Sequence, residues 1–595
     1  MATPATSWPR LHGGSFLIES RQPEEIYTPE DFTDEHKAIA KTTEDFWNQE
    51  VAPHRDDLEQ GDKELAVSIL KKSAKLGLTA VTVPEKYGGM ELDLISSMVV
   101  AEQLARDGSY SAWHGAHAGI GTLPVLLFGT EAQKQKYLTR LASGELIGAY
   151  CLSEPQAGSD ALAARTRADL SGDGAHYILN GQKMWITNGG AADLYTAFAK
   201  VGGEHFTAFL VERSYAGVQP GHEEKKMGIK GSSTTAVYFD NVRVPVENVL
   251  GEVGKGHVIA FNVLNIGRLK LGPFAVGGAK NVLSISIKYA KERKAFGKSI
   301  AEFGLIQHKL AEMAIRIFAA ETMSYRTVGQ IEAHLGDWSW QAPQAAQTYL
   351  RAIEEFAAEC SFVKVFASEV LDYVVDEGVQ IHGGYGYHQD YVVERAYRDS
   401  RINRIFEGTN EINRLLATGT LLKRAQRGQL GLVEAVKRLQ GELMTLPAPN
   451  SGPTGPEEED GRIGAQAKKI ALLCLGAAYQ RFLDRISDQQ EVMAGIAEIA
   501  MNAFAMEGVC LRAQKLAALG RGELAAAMSR VFVREALNLC EQQARTVLAA
   551  CAEGDALRIA LGGLKRLAKY EPVNAIALRR QIAERLLAAE RYTLT

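Results

Sequence analysis

The chain has 595 residues, which is too long for one hydrophobic core, and its length predicts about three or four domains. A composition of 46% hydrophobic and 23% charged residues is typical of a soluble globular protein, and the formal net charge of −5 excludes a general attraction to nucleic acid or anionic membranes. Six cysteines without a CxxC pair argue against zinc or dithiol chemistry and suit reduced thiols in a cytoplasm. We find no secretory signal and no uninterrupted apolar run long enough to span a bilayer.

The N-terminal part of the chain is predicted to be an arm followed by a helical domain. Residues 1–30 are rich in Pro, Gly, Ser and Thr, which indicates an arm. Residues 31–145 follow a helical period, with Thr33 or Asp34 as the first cap. A Pro/Gly loop, VPEKYGGM at residues 83–90, interrupts these helices.

Residues 146–252 change to a strand period and predict a small β domain. Two stretches, YCLSEPQAGSD (150–160) and KMWITNGG (183–190), carry hydroxyl groups beside backbone amides that no large side chain covers. Between them we predict a turn at Gly172–Gly174 and a hairpin at Asn180–Gly181. This surface suits a flat, polar, phosphate-bearing ligand, with Trp185 as an aromatic plate. The alternative is a glycine-rich turn region with Trp185 in the core.

The C-terminal part of the chain is predicted to be helical. Residues 253–425 form a second helical domain, interrupted by a loop at HLGDWSWQAPQAA. Residues 426–595 form an Ala- and Leu-rich helical extension, in which PAPNSGPTGPEEEDG (447–461) has the composition of a linker. The fold class predicted from these patterns is α+β, mostly α.

Five motifs carry a resemblance to a known family. In order they are YCLSEPQAGSD, KMWITNGG, ERKAFGKSI, QIHGGYGY and RIFEGTNEI. Their sequence, order and spacing resemble the signatures of the acyl-CoA dehydrogenases over roughly residues 35–425. The resemblance implies a helical domain, a middle β domain, a four-helix-type domain and FAD as cofactor. The extension resembles that of the very-long-chain branch, which implies a homodimer.

Glu407 in RIFEGTNEI is the candidate catalytic residue. Taken alone it is one of many glutamates, and a solvated helix end is the ordinary interpretation. Burial would raise its pKa and suit it to a weak carbon acid. The resemblance implies that Glu407 takes the α-proton of an acyl-CoA thioester while the β-hydrogen leaves as hydride to flavin N5. Gly267, which has no side chain, stands where other branches carry the base, and this departure favours Glu407.

The resemblance also implies which residues contact the ligands. The FAD contacts would be Tyr150, Leu152, Ser153, Gly158, Ser159, Trp185, Ile186, Thr187, Arg293, Phe296, Gln380, Gly383, Gly384, Thr409 and Glu411. The acyl-CoA contacts would be Ser159, Asn265, Arg268, Glu407 and Gly408. For Arg268, a charge on a helix surface is the alternative.

The motif ERKAFGKSI contains AFGKS but is not a phosphate loop, because Glu292 stands where that loop requires Gly. We interpret it instead as a helix whose Arg293 and Phe296 reach the adenosine-pyrophosphate part of FAD in a neighbouring subunit, since a guanidinium fork can bind two phosphate oxygens. A solvated basic helix end is the alternative. Gly304 departs from the family pattern, which often has Gln there.

Two apolar segments leave alternatives open. HGAHAGIGTLPVLLFG favours close helix packing, but Gly115, Gly119 and Gly121 could instead leave room for an acyl-chain tunnel. LGGLKRLAKY (561–570) favours an amphipathic helix packed on the core, with a membrane-surface helix as the alternative.

The functional hypothesis is an FAD-dependent acyl-CoA dehydrogenase of long-chain β-oxidation that forms trans-2-enoyl-CoA and passes electrons to electron-transfer flavoprotein. It would be cytoplasmic, with peripheral contact at the inner membrane face as an option. One alternative is an acyl-CoA oxidase that gives its electrons to oxygen. Another is a non-catalytic assembly or scaffold protein of the same fold. We expect neither a metal site nor a nucleic-acid partner.

Overall fold

The computed structural model of the protein describes residues 8–445 and 455–594. The predicted fold class is confirmed: a helical domain, a small sheet and a second helical domain follow one another, and a helical extension comes last. Two helical domains therefore flank the sheet in the chain.

The N-terminal helical domain buries an apolar core around Trp113, and each of its longer helices begins at a polar cap. The predicted cap Thr33 accepts a hydrogen bond from the backbone N–H of His36. The arm before it packs on the fold, since Phe16 and Ile26 are buried. The helices are α1 Asp34–Phe46, α2 Arg55–Glu59, α3 Lys63–Lys75, α4 Leu94–Leu104, α5 Gly108–Gly115, α6 Leu123–Phe128 and α7 Glu131–Ala142.

The middle domain is one sheet in the strand order β6-β7-β3-β2-β4-β5-β8, with β1 parallel to β4. The strands are β1 Gly148–Cys151, β2 Arg167–Leu170, β3 His176–Thr187, β4 Leu194–Val201, β5 His205–Glu212, β6 Val218–Glu223, β7 Thr234–Pro245 and β8 Val249–Leu250.

The two turns predicted in this domain have different outcomes. The turn at Gly172–Gly174 joins β2 to β3. The hairpin at Asn180–Gly181 is wrong, because both residues lie inside β3, at a bulge opposite β7. Glycine is needed at position 181 because the backbone of Thr166 approaches β3 closely there: a Cβ on Gly181 would lie 2.8 Å from Cα of Thr166.

The second helical domain contains the longest helix, α8. Its elements are α8 Gly256–Glu292, β9 Lys294–Ala295, β10 Lys298–Ser299, α9 Gly304–Leu335, α10 Ala345–Glu355, α11 Ala357–His382, α12 Val392–Ser400 and α13 Asn410–Gln426. The prediction that Arg293 and Phe296 lie on a helix is wrong, because α8 ends at Glu292 and a two-stranded hairpin follows. Phe296 and Gly297 both have positive φ (53° and 83°) and form its turn.

The extension consists of α14 Leu432–Met444, α15 Pro456–Phe482, α16 Gln490–Ala518, α17 Glu523–Cys551, α18 Gly554–Leu567 and α19 Ala575–Ala589. The predicted linker is wrong for residues 456–461, which open α15 with Pro at its first position and acidic residues in its first turn. Residues 447–454 of that linker lie outside the described residues.

Two helices of the extension bear on membrane contact. The sequence analysis predicts no apolar run that could span a bilayer, but α16 is long and apolar enough to do so by length and composition alone. Of its most apolar 18-residue stretch, 83% is buried inside the fold. Helix α18, which carries most of LGGLKRLAKY, buries Leu564 and Leu567. This burial favours the interpretation as a packed amphipathic helix.

Candidate active site

Glu407 lies on a short loop between residues 401–404 and α13, with a positive φ of 57°. The loop is tied down from two neighbouring helices. Nε of Arg268 on α8 donates to the carbonyl of Glu407 at 3.2 Å, and Nζ of Lys364 on α11 donates to the carbonyl of Gly408 at 2.7 Å. The side-chain amide of Asn413 donates to the Gly408 carbonyl at 2.9 Å. These bonds hold a backbone conformation that non-glycine residues rarely adopt.

The carboxyl group of Glu407 is enclosed, and no described residue pairs with it. Its Oε2 is buried and makes no hydrogen bond with any described residue. Burial raises the pKa of Glu407 to about 7, against the opposing charges of Arg268 and Lys364. A Cβ on Gly267 would lie 2.7 Å from Oε2, so the missing side chain at 267 leaves the space that the carboxyl group occupies.

Glu407 lines a cavity of about 190 Å³ that follows α8 away from Gly267. Its lining is mostly apolar and includes Ile266, Leu271, Phe274, Leu104 and Val375. The glycine-rich helical segment after α5 forms part of the wall.

The two interpretations of that segment apply to different glycines. Gly115 and Gly119 line the cavity, with no atom within 4 Å of where their Cβ would be. Gly121 does not line it and packs against β1, where a Cβ would lie 2.8 Å from the carbonyl carbon of Gly148.

The two hydroxyl-rich stretches of the β domain are joined to each other, and the second one reaches the cavity. The backbone N–H of Met184 donates to the carbonyl of Ser153 at 2.9 Å, which joins the stretches. Thr187 lines the cavity together with Glu407. Burial raises the pKa of Tyr150, and the negative charge of Glu407 raises it further. Trp185 is 59% exposed, which rules out the core interpretation for it.

The other candidates in these stretches differ in exposure. The side chains of Leu152 and Ile186 are buried, whereas Gly158 and Ser159 are exposed. No atom lies within 4 Å of a Cβ built on Gly158. A ligand can therefore approach the backbone at this glycine.

Asn265 and Arg268 form a buried pair beside Glu407. Arg268 is only 5% exposed, so the alternative of a surface charge is wrong for it. Its Nη1 donates to Oδ1 of Asn265 at 2.9 Å. Thr409 caps α13 by accepting from the backbone N–H of Ile412 at 3.3 Å. Glu411 is exposed in the first turn of α13, and hydrogen bonds from its own backbone and from Thr409 lower its pKa.

The remaining candidates form a second surface that does not line this cavity. Arg293 and Phe296 are exposed on the β9–β10 hairpin, and Gln380 is exposed near the end of α11. Gly383 and Gly384 follow α11, and no described atom lies within 4 Å of a Cβ built on either. The chain therefore brings one group of candidates to Glu407 and leaves the other group on the outside.

Lys364 and Asn413 are functional candidates that the sequence analysis misses. Lys364 interrupts the apolar run SFVKVF in the middle of α11, and a lone cation in a buried helix is a signal that could have identified it. Asn413 shows no such signal, since it is one polar residue among several on α13.

The residues present fit FAD. An exposed indole beside a hydroxyl group suits a flat ring system, and glycines without neighbours allow close approach of a large ligand. Trp185 with Thr187, and Gly158, offer these features, and Thr187 lines the cavity together with Glu407. The exposed guanidinium of Arg293 suits a diphosphate.

Comparisons with known proteins agree with this geometry. Sequence models described as the N-terminal, middle and C-terminal domains of acyl-CoA dehydrogenase match residues 33–145, 149–242 and 254–422. A further model, also described as an acyl-CoA dehydrogenase C-terminal domain, matches residues 466–566. The extension is therefore also matched by a family domain.

Individual relatives cover most of the chain. It is 51% identical over 585 residues to a probable acyl-CoA dehydrogenase of Bacillus subtilis, which covers 98% of both chains. It is 37% identical over 502 residues to the mitochondrial very long-chain specific acyl-CoA dehydrogenase of Rattus norvegicus, covering 79% of this chain and 73% of that one. The crystal structure of an acyl-CoA dehydrogenase complexed with FAD from Bacillus anthracis matches with a TM-score of 0.96 and 49% identity, covering 98% of this chain and 100% of that one. The chain therefore belongs to the acyl-CoA dehydrogenase family, whose cofactor is FAD.

Proposed function

We propose that this protein oxidises long-chain fatty acyl-CoA to trans-2-enoyl-CoA in cytoplasmic β-oxidation, with Glu407 as the base. The observation that carries the proposal is the carboxyl group of Glu407, which lines a mostly apolar cavity and whose buried Oε2 has no partner among the described residues. A scaffold protein would have no need for a carboxylate kept free in this way, because burying one is costly.

Glu407 is suited to remove the α-proton of a thioester. A pKa of about 7 makes it a stronger base than an exposed glutamate while much of it is still ionised near neutral pH. Arg268 and Lys364 prevent a larger rise, because their positive charges favour the carboxylate. The hydride acceptor for the β-hydrogen would be supplied by bound FAD.

The thioester oxygen needs a hydrogen-bond donor as charge develops on it. The backbone N–H of Glu407 donates to no described residue. The positive φ of Glu407 is held by Arg268 through the Glu407 carbonyl. We assign this N–H to the thioester oxygen, so that the base and the donor belong to one residue.

The long-chain preference is supported by similarity to the very long-chain specific relative and by the apolar lining of the cavity. A panel of thioesters from butyryl-CoA to stearoyl-CoA, assayed with an artificial dye acceptor, tests it. We expect the largest kcat/KM above twelve carbons. A maximum at butyryl-CoA would contradict the chain-length assignment, and no turnover with any thioester would contradict the function.

For the electron acceptor we propose electron-transfer flavoprotein rather than oxygen. Anaerobic reduction with palmitoyl-CoA followed by exposure to air separates the two. We expect slow reoxidation in air and fast reoxidation on adding electron-transfer flavoprotein. Fast reoxidation with formation of peroxide would instead identify an oxidase.

We also propose a homodimer in which FAD bridges the subunits. Support comes from three apolar side chains that are almost fully exposed, Phe296, Leu305 and Tyr387, at 94%, 80% and 87%. Large apolar side chains exposed to this degree are typical of a surface that another subunit covers. Arg293, three residues before Phe296, stacks over Tyr385 at 5.5 Å. Light scattering should give twice the 64.7 kDa of one chain, and a monomer with full FAD content would contradict the dimer.

A further inference from the structure

Lys270 is a cation in the Glu407 cavity that the dehydrogenation does not use. It lies on α8 three residues after Gly267, which is about 4.5 Å further along the helix axis. Its side chain lines the cavity. Burial alone lowers its pKa to about 8, so it is mainly charged near neutral pH. Across residues 8–445 and 455–594 its ammonium group has no hydrogen-bond or ion-pair partner.

The ammonium group of Lys270 shares its cavity with His114 and acts on His114 rather than on the base. His114 lines the same cavity, and its buried Nε2 has no partner among the described residues. Burial, together with the nearby charge of Lys270, lowers the pKa of His114 to about 3, so the ring is neutral. The pKa of Glu407, in contrast, responds to Arg268 and Lys364 and not to Lys270. Lys270 and His114 therefore form a polar spot on the cavity wall, separate from the reacting end.

A plain alkyl chain would leave this polar spot unsatisfied. An ammonium group taken from water without a counter-charge costs free energy, and buried polar atoms in native proteins nearly always have partners. Among the described residues the wall supplies none: Ile266, Leu271 and Phe274 are apolar, and the polar lining residues Ser111 and Asp107 bond to backbone atoms instead. A ligand that brings an oxygen atom to this place would satisfy both nitrogen-bearing groups.

We propose that Lys270 and His114 form a subsite for an oxygen function carried by the acyl chain, above all a carboxylate. The proposal rests on the proposed function, since it takes the cavity to hold the acyl part of an acyl-CoA. It adds a substrate class: acyl-CoA thioesters with a second, distal polar group.

Two oxygen groups suit the subsite in different ways. A carboxylate neutralises the ammonium group of Lys270 and accepts its hydrogen bonds. A hydroxyl group accepts from Lys270 and donates to Nε2 of His114 when that ring carries its proton on Nδ1. A methyl group does neither. Matched thioesters that differ only at the distal carbon therefore distinguish a carboxylate, a hydroxyl group and a methyl group as the occupant of the subsite.

The test is equilibrium binding to the FAD-loaded Glu407→Gln enzyme, in which thioesters bind without reacting. Binding is followed by flavin absorbance during titration with plain, ω-hydroxy and ω-carboxy acyl-CoA thioesters of six, eight, ten and twelve carbons. The readout is the ratio of dissociation constants between the plain and the substituted thioester of each length. Lys270→Met should lower the preference for the ω-carboxy series by about tenfold at the length that reaches the subsite.

Further variants serve as controls. Lys270→Arg, which keeps the charge, should retain most of the preference. Lys288→Met alters an exposed lysine on the same helix and should retain all of it. Lys270→Met removes an unpaired buried charge, so its thermal midpoint should not fall.

A change below threefold at every length and in both substituted series would overturn the subsite. A change confined to the ω-hydroxy series would keep the subsite and assign it to hydroxyacyl chains. Bleaching of the wild-type flavin is measured separately. If the dissociation constants respond to Lys270 but no thioester bleaches the flavin, the subsite stands and the proposed dehydrogenation fails.

Discussion

At the scale of single residues, the proposed chemistry depends on the carboxylate of Glu407. Glu407→Gln keeps the size of the side chain and removes the base, so FAD content and acyl-CoA binding should persist. The rate of flavin bleaching by substrate should fall by about a thousandfold or more. Stopped-flow absorbance measures this rate, with Glu354→Gln on the exposed surface of α10 as the control. Substantial bleaching by the Gln variant would move the role to another group.

The pKa of Glu407 predicts a pH dependence. The base must be deprotonated to act, and its pKa in the fold is about 7 instead of the ordinary 4.5. Values of kcat/KM should therefore rise about tenfold per pH unit below pH 7 and level off above it. Initial rates between pH 5.5 and 8.5 test this. A profile that is flat down to pH 5 would show that burial does not raise the pKa of the base.

Gly267 provides a second test at this scale. A Cβ at position 267 would lie only 2.7 Å from Oε2 of Glu407, so Gly267→Ala must displace the carboxyl group. We expect activity to fall about a hundredfold at unchanged FAD content, since small misplacements of a base are costly. Gly441→Ala in α14, where a Cβ meets no described atom within 4 Å, is the matched control. Equal activity of both variants would show that the carboxyl position does not matter.

At the scale of an element, the β9–β10 hairpin should hold the cofactor. Arg293→Ala removes the guanidinium group that we assign to the FAD diphosphate, so the purified enzyme should contain less flavin. Added FAD should restore its thermal midpoint to that of the wild type. Lys294→Ala removes a neighbouring exposed charge and should retain flavin. The absorbance ratio at 450 and 280 nm reports flavin content. Full flavin content in Arg293→Ala would reject the assignment.

At the scale of the whole molecule, one buried arginine joins three parts of the chain. Arg512 in the extension pairs with Glu30 in the arm at 2.8 Å and with Glu321 in α9 at 2.6 Å. Arg512→Leu leaves the buried carboxylate of Glu30 without this partner and Glu321 with its ion pair to Lys280, and it should lower the free energy of unfolding by about 3–5 kcal/mol. Chemical denaturation measures this, with the exposed Arg558→Leu as the control. Equal stability of the two variants would show that the arm and the extension are held by other contacts.

Much of this molecule can be predicted from its sequence, for physical reasons that differ by feature. Helical and strand periods persist over long stretches, so the fold class follows from them. Glu407 is identified only through its motif, because nothing local marks it as buried. The bulge at Gly181 depends on the approach of Thr166, which no local pattern shows. Lys270 is just as hidden, since only the folded chain shows that no described carboxylate faces it.

The pairing of Arg512 with Glu30 spans 482 positions of the chain. A ribosome that makes this protein releases Glu30 early and Arg512 near the end. Until the later residue emerges, the carboxylate of the earlier one lacks this arginine and stays in water. In newly made chains the arm around Glu30 should therefore acquire protease resistance only after residue 512 has been made, and in translation products arrested before that residue the arm should remain susceptible.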